Sequence, residues 1–431
     1  MRGKRILLIE PYFPIPSKST KDFFPVGLLK IGAHLRAIGA EVRLLRRFPR
    51  NKPQGIEYFA PHEVWITSLF TYWAEYVRDA VTASRMLFST AKIIVGGIYA
   101  SLLPPEQVKA FTGCDEVYQG VLEEAESFNP AFDLLGEEAK SIDYQILHTS
   151  RGCPRGCSYC GVWKIEPHFT YKSSIKAEIV KKKLIFYDNN LLMNPDIETI
   201  LRELIDLKQQ GKLLYCESQS GFDGRILLKK PYLAQMIRAA GFRYPRIAWD
   251  GPYSEYPVVE KQLTVLTNAG YKSRDIGIFM LYNWDLPFNE MEKKRLKCWE
   301  WQVQIADCRY RPLNQLYDRY NFQKKQSQKD YYIHEEKGWT DALVKQFRKN
   351  VREQNICVRH RFPFYSSTLE KKRVSVKDLK SIKGFQNIGE KVKLLESLGV
   401  DYWFPGSVRY PNQKEDEQCA DISRSVEIVT G

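Results

Sequence analysis

No stretch of about 18 apolar residues free of charge occurs in the chain, so nothing in it reads as a membrane span. Met1-Arg-Gly-Lys-Arg5 leads straight into a strand-like segment in place of the apolar region of a secretory signal, which predicts a cytoplasmic protein. The nine cysteines are an odd number scattered through 431 residues, which excludes a disulfide framework and leaves reduced thiols or metal ligands. Six of them, Cys114, Cys216, Cys298, Cys308, Cys357 and Cys419, form no C-x2-C pair; they read as small apolar core residues, not as an auxiliary cluster. There is no long internal repeat, and the composition is that of a globular protein, which excludes general disorder. Acidic residues are outnumbered 51 to 65, a formal charge of +14, which favours an acidic partner: nucleic acid, an anionic cofactor or an acidic protein. Charge alone does not choose among these.

What is present is a long alternation of strand and helix patterns. Arg5-Ile-Leu-Leu-Ile-Glu10, Glu41-Val-Arg-Leu-Leu45, Glu63-Val-Trp-Ile66, Lys92-Ile-Ile-Val95 and Glu116-Val-Tyr118 read as strands. Helical patterns lie at Val26–Ile38 and Glu75–Ser89. This predicts an α/β fold whose N-terminal part, residues 1–125, is a Rossmann-like, doubly wound parallel sheet with its ligand at the carboxyl edge. Residues 126–142, with Asn129-Pro130 and Gly136-Glu-Glu138, read as a linker. Strand patterns resume at Gln145–Thr149, Lys183–Tyr187, Leu213–Glu217, Arg246–Trp249, Ile276–Leu281 and Ile305–Tyr310. With the helices between them they predict a partial (β/α)6 barrel over residues 143–320, its reactive groups on the loops after the strands. Residues 321–431 read as a small helical and irregular C-terminal region containing the Lys- and Gln-rich Asn321–Asp330, a helix at Thr340–Gln354 and a basic patch, Arg359–Arg361.

The most informative segment is Arg151-Gly-Cys-Pro-Arg-Gly-Cys-Ser-Tyr-Cys160, a C-x3-C-x2-C loop directly after an apolar strand. Three thiolates on one short loop can hold three irons of a cubane and leave the fourth open, which a four-cysteine site cannot. Structural zinc takes four closed ligands at a different spacing.

Thr149-Ser-Arg-Gly-Cys-Pro-Arg-Gly-Cys-Ser-Tyr-Cys160 resembles the cluster loop of the radical S-adenosylmethionine (AdoMet) superfamily, including the aromatic residue before the last cysteine. The resemblance implies a 4Fe–4S cluster on Cys153, Cys157 and Cys160, AdoMet chelated at the open iron, and Tyr159 near its adenine. It further implies AdoMet contacts from Asp188 and Asn189, although the family's glycine pair is missing there, and from Gln219, Arg225, Asp250, Asn283 and Tyr310. Each of these polar residues could equally be a cap or turn residue. No catalytic acid or base is assigned.

Phe24-Pro-Val-Gly-Leu-Leu29, Ala33-His-Leu-Arg36, Ile38-Gly-Ala-Glu-Val42, Ser68-Leu-Phe70, Val95-Gly-Gly97, Ser101-Leu-Leu103 and Gly120 are similar to the cobalamin (B12) domain that precedes many radical AdoMet cores. On that likeness cobalamin would meet Tyr12, Val26, Gly27, Ser68, Leu69, Phe70, Gly96, Gly97, Ile98 and Gly120. The D-x-H-x-x-G motif that supplies a lower axial histidine is absent, since Glu10–Ser19 contains no histidine. An open, water-bound or apolar-covered lower face is therefore expected, and His34 reads as a surface or core residue. A domain of this kind that has lost its ligand would carry the same pattern.

Together the two likenesses imply a class B, cobalamin-dependent radical AdoMet methyltransferase, an oxygen-sensitive iron–sulfur enzyme. In that family a 5′-deoxyadenosyl radical takes hydrogen from an unactivated carbon, methylcobalamin supplies the methyl group, and flavodoxin or ferredoxin supplies electrons. The substrate is not legible; a protein or peptide carbon is favoured, for example in methyl-coenzyme M reductase. The alternative is a cobalamin-free radical AdoMet enzyme acting on RNA or a small molecule, for which the basic balance speaks. Leu379-Lys-Ser-Ile-Lys-Gly-Phe-Gln-Asn-Ile-Gly-Glu-Lys-Val392 resembles a helix-hairpin-helix phosphate-binding segment in part, with an over-long hairpin, and reads equally as an ordinary packing element.

Overall fold

The Arg5-Ile-Leu-Leu-Ile run is buried on both faces, as the central strand of a parallel sheet requires. A computed structural model describes residues 2–14, 24–52, 54–318, 331–367, 387–397, 399 and 401–411. Asn321–Asp330, Cys419 and most of the hairpin-like segment from Leu379 lie outside the described residues. By contacts the chain divides into two units, Met1–Ser220 with Arg311–Tyr332, and Gly221–Tyr310 with Ile333–Gly431.

In the first unit the chain runs β1 (Arg5–Pro11), α1 (Val26–Ala37), β2 (Glu41–Phe48), β3 (Glu63–Ser68), α2 (Ala74–Leu87), β4 (Lys92–Gly97), α3 (Ile98–Leu102), α4 (Pro105–Thr112), β5 (Glu116–Val117) and α5 (Glu123–Glu126). All five strands are parallel, in the order β2-β1-β3-β4-β5. The order reverses between β1 and β3, the switch point outside which such sheets bind ligands. One face is covered by α2 and α4 over Leu7, Ile9, Val64, Ile66, Ile93 and Val95, the other by α1 over Ile6, Leu8 and Val42. Gly39 and Gly113 adopt left-handed φ where α1 and α4 end, and Pro105 opens α4 at a position whose N–H has no helical partner.

The stretch read as a linker is not a free spacer. Its 3-10 turns at Phe132–Ser141 bury Leu135 with Phe24, Leu29, Ile142, Ile146 and Ile185, while Arg36 and Arg46 pair with Asp133 and Glu138. The first unit continues with β6 (Tyr144–Leu147), β7 (Ser150–Arg151), α6 (Val162–Ile165), β8 (Thr170–Tyr171), β9 (Lys183–Phe186), α7 (Ile197–Gln209) and β10 (Tyr215–Ser218). Strands β10-β9-β6 form a second parallel sheet, and β7 pairs antiparallel with β8.

The second unit holds α8 (Gly224–Lys229), α9 (Tyr232–Ala239), β11 (Arg246–Ala248), α10 (Tyr256–Asn268), β12 (Gly277–Tyr282), α11 (Phe288–Glu300), β13 (Gln304–Arg309), α12 (Asp341–His360) and α13 (Ile388–Ser397). Strands β11-β12-β13 are parallel. All six strands expected for a barrel are thus present, as two separate three-stranded ladders; no closed barrel is formed by the described strands. Helix α12 starts where Thr340 Oγ1 accepts from Leu343 N (3.2 Å), as a capping threonine should. The buried Arg295 bridges Glu292, Gln354 and the carbonyls of Pro405 and Ser407, fastening the C-terminal segment to α11 and α12.

Candidate functional site

The cysteine loop is built as a closed excursion from the carboxyl end of β6. Strands β7 and β8 zip its base, and Gly152, at φ +75°, passes so close to the return strand that a Cβ would lie 2.5 Å from the His168 carbonyl oxygen. No other residue fits there. Within the loop Gly156 is also left-handed, and Cys160 N–H donates to Cys157 O (3.0 Å). Cys153, Cys157 and Cys160 are half-buried, Pro154, Arg155, Gly156 and Ser158 are exposed, and no disulfide joins the described cysteines.

Three polar residues, two from outside the loop and one from within it, fix its base. The buried carboxylate of Asp188 accepts from Thr149 N (2.9 Å), Thr149 Oγ1 (2.6 Å), Ser150 N (2.7 Å) and Ser150 Oγ (2.8 Å). Asn194, also buried, donates to Thr149 O (3.1 Å) and Lys172 O (3.0 Å), one on each side of the loop. Glu166 accepts from Gly152 N (2.6 Å), Arg151 (3.1 Å) and the Asn189 amide (2.7 Å), so one carboxylate ties the loop's entry, its exit and the end of β9 together. Arg151 also grips Glu126 with two bonds (2.9 and 2.8 Å), and Glu126 pairs with the buried Lys30 of α1 (3.4 Å). The Arg151 and Lys30 charges hold the Glu126 carboxyl below its ordinary value against the opposing effect of its burial.

Of the residues expected at AdoMet, Tyr159 sits half-buried inside the loop, and Asp188 and Asn189 are brought to its base, where both are engaged in holding it. Gln219, exposed after β10, donates to Glu217 (3.2 Å). In the second unit Arg225 pairs with Asp223 of its own helix cap (2.9 Å). Asn283 is buried at φ +58°, accepts from His334 N (3.0 Å) and donates to Tyr310 O (3.4 Å), so it joins the carboxyl ends of β12 and β13. Tyr310 lies against Trp284 at 3.9 Å between ring centroids. Asp250 follows β11, and the carbonyls flanking it, Trp249 O (2.7 Å) and Gly251 O (2.8 Å), are held by the buried Lys294 ammonium, whose pKa burial lowers to about 8.

At the carboxyl edge of the five-stranded sheet, several residues expected at cobalamin form the loops themselves. Ser68 is buried, donating to Gly96 O (2.7 Å) and accepting from Ala100 N (3.1 Å). A Cβ on Gly97, at φ +98°, would lie 2.3 Å from Ser68 O, so this glycine is required by the approach of β4 to β3. Gly120 N donates to Ser101 Oγ (3.0 Å). Leu69 packs on the core, Val26 packs with the apolar group around Ile146, Gly27 is exposed, and Tyr12 lies beneath the Arg50 guanidinium (3.9 Å). Phe70, Ile98 and Tyr118 are exposed apolar side chains, 39%, 39% and 40% exposed, at the ends of the neighbouring strands β3, β4 and β5. Segment 311–318 returns to this edge: Arg311 lies over Tyr72 (4.2 Å), Tyr317 stacks on Phe111 (5.4 Å), and Asp318 N reaches Thr71 O (3.3 Å). His62 accepts from Arg5 N (2.9 Å) at the opposite, amino edge, and His34 packs on Phe128.

Sequence reasoning missed Glu166, Asn194, Glu126, Tyr118 and segment 311–318. Only Glu166, close behind the cysteines, carried a local signal.

No family model matches the chain, and no curated protein does. A solved structure described as a novel cobalamin-binding protein from Desulfitobacterium hafniense DCB-2 matches over 29% of this chain and 55% of that one, at 19% identity and a TM-score of 0.21. The match thus spans about half of that protein.

Proposed function

We propose that the chain is a cobalamin-dependent radical AdoMet methyltransferase that holds a 4Fe–4S cluster on Cys153, Cys157 and Cys160 and methylates an unactivated carbon of a protein or peptide. The observation that carries this reading is the cysteine loop itself: three thiols within eight residues, on an excursion whose base Asp188, Asn194 and Glu166 pin at the carboxyl end of a parallel sheet.

The donor set fits such a cluster. Among the described residues no three His, Cys, Asp or Glu side chains are gathered as a metal-binding group. Loading therefore requires the three thiols to turn towards one another. For a corrin, Phe70, Ile98 and Tyr118 supply exposed apolar side chains at the carboxyl edge. His34 and His62 lie away from that surface, which suits a lower face without protein imidazole.

When bound, the cluster supplies an electron to the AdoMet sulfonium and cobalamin supplies the methyl group. This chain's residues orient and exclude. Glu166 and Asp188 hold the loop, Tyr159 flanks the last cysteine, and segment 311–318 packs on Tyr72 and Phe111.

The test is anaerobic reconstitution with iron and sulfide, followed by iron, corrin and electron paramagnetic resonance analysis. About four irons per chain, one bound corrin and AdoMet cleavage under reduction are expected. Replacing all three loop cysteines by Ala should remove iron and cleavage while the far-ultraviolet circular dichroism is kept. A reducible cluster surviving in that variant refutes the ligand assignment; iron without corrin refutes the cobalamin part. Substitution at Gly97 is no test of the corrin, because any side chain there strikes Ser68.

A further inference from the structure

Three neighbouring strands of the five-stranded sheet, β2, β1 and β3, lead at their carboxyl ends into Pro49-Arg50, Tyr12-Phe13 and, in the first turn of α2, Tyr76. Tyr12 N donates to Phe48 O (2.9 Å) and Phe13 stacks on Trp73 (4.8 Å), so the three ends are fixed against one another. On this frame the Arg50 guanidinium lies over the Tyr12 ring at 3.9 Å, and the rings of Tyr12 and Tyr76 stand 6.5 Å apart. The edge is the one at which open parallel sheets bind ligands, and Tyr12 and Tyr76 flank the switch point between β1 and β3.

Segment 42–56, which carries Arg50, holds five cations and no acid. Arg43 is matched by Glu41 (3.8 Å), Arg46 by Glu10 (2.7 Å) and Lys52 by Glu57 (4.0 Å). Arg50 is exposed, and among the described residues no carboxylate pairs with it; the Tyr12 and Tyr76 hydroxyls have no hydrogen-bond partner there either. Glu75 and Asp79, the acids felt at the Tyr76 phenol, face Arg78 at 3.5 and 4.0 Å. Burial raises the pKa of that phenol against the opposing pull of Arg50, so it stays protonated and donates. The edge thus offers three donor groups from three chain segments. A guanidinium fork with two hydroxyls suits an anion whose oxygens point apart: a phosphoryl group has three, a carboxylate two in one plane.

We propose that Arg50, Tyr12 and Tyr76 form a binding site for a phosphoryl group at the carboxyl edge of the five-stranded sheet. Arg50 supplies the charge and the N–H fork, the ring of Tyr12 holds the guanidinium in place, and the two phenols donate to the remaining oxygens. The group belongs either to the nucleotide tail of a corrin or to another phosphorylated ligand. Only the first of these sources rests on the proposed function; the site itself does not, and its test needs no iron.

The full-length chain is titrated with inorganic phosphate at constant ionic strength and about pH 8, where the ion is mostly dianionic, and binding is read by phosphorus NMR line broadening and by calorimetry. Arg50→Leu, at an exposed position, should weaken phosphate at least about tenfold while the far-ultraviolet circular dichroism is kept. Arg50→Lys, which keeps the charge and loses the fork, should fall between, and Tyr76→Phe should weaken phosphate less than Arg50→Leu. No phosphate binding, or equal binding by wild type and Arg50→Leu, overturns the proposal; acetate bound as tightly as phosphate overturns the ligand class. Cobalamin and cobinamide, which lacks the nucleotide and its phosphate, separate the two sources. If Arg50→Leu weakens cobalamin alone, the group is the corrin's own; if neither changes while inorganic phosphate is lost, it belongs to another ligand. A chain that binds phosphate through Arg50 but takes up no corrin refutes the cobalamin reading alone, and one that takes up corrin but binds phosphate independently of Arg50 refutes this site alone.

Discussion

Replacing Glu166 by Ala isolates what holds the cysteine loop. The variant removes the acceptor of three bonds, from Gly152 N at 2.6 Å, Asn189 at 2.7 Å and Arg151 at 3.1 Å. Arg151 keeps its two bonds to Glu126, so it loses least. Gly152 is buried and its N–H, being backbone, cannot turn to another acceptor. Stranding it costs about 1–3 kcal/mol, and the charge-assisted bond from Asn189 is worth about 1.5–3 kcal/mol. These terms share one carboxylate and are not additive; a net loss of about 3 kcal/mol is reasonable. Each 1.4 kcal/mol is about tenfold in an equilibrium, so opening of the loop should become roughly a hundredfold more frequent. Amide hydrogen exchange of peptides covering residues 149–168, measured on iron-free protein, reads this directly. Exchange should rise about a hundredfold there and remain unchanged in β1 to β4. Glu166→Gln, which keeps one acceptor oxygen, should fall between, about tenfold. Unchanged exchange in the Ala variant would refute the idea that Glu166 closes the loop, and a uniform rise across the chain would show a global effect instead.

Two further outcomes follow from buried charges in the second unit. Burial raises the Asp307 carboxyl to about 6 against the lowering pull of Arg348. Its stabilising contribution is therefore fully present below the unfolded value of 3.8 and lost as pH rises through about 6. Asp307→Asn should gain stability over wild type by up to about 3 kcal/mol at pH 8 compared with pH 4, an order-of-magnitude figure; equal differences in denaturant unfolding at the two values would refute this. Lys294, lowered from 10.5 to about 8 by burial, works in the opposite pH range. Its folded form sheds a proton that the unfolded chain keeps, so its contribution rises between about pH 8 and 10.5. Wild type should gain on Lys294→Met by up to about 3 kcal/mol from pH 7 to pH 10, and parallel stability curves would contradict the shift.

Much of the secondary structure was legible because strands and helices write themselves in local periodicity. Ile6–Ile9, Val64–Ile66 and Ile93–Val95 are apolar runs that only a buried parallel strand accommodates, and all three stand in one sheet. The six later strands appeared near their expected places for the same reason. Gly97 is also required by the fold itself: Ser68 of the neighbouring strand lies against it, a contact between segments about 30 residues apart that no local pattern encodes. Likewise Glu126–Ile142 reads as a linker, yet Leu135 within it is buried.

The sequence by itself determined the chemistry on offer: three thiols at C-x3-C-x2-C spacing, an N-terminal β/α alternation and no histidine where an axial ligand would sit. Those properties are short-range and survive without a fold. Tertiary structure decided which polar groups remain available to a ligand. Asp188, expected at AdoMet, lies beside Thr149 and Ser150 and holds the loop. His148 reads as one more strand residue, but the packing of β6 beside β9 buries it without giving its Nδ1 a partner. A hydrogen bond depends on distance and direction between groups some 40 residues apart in the chain, and only the folded backbone sets either one.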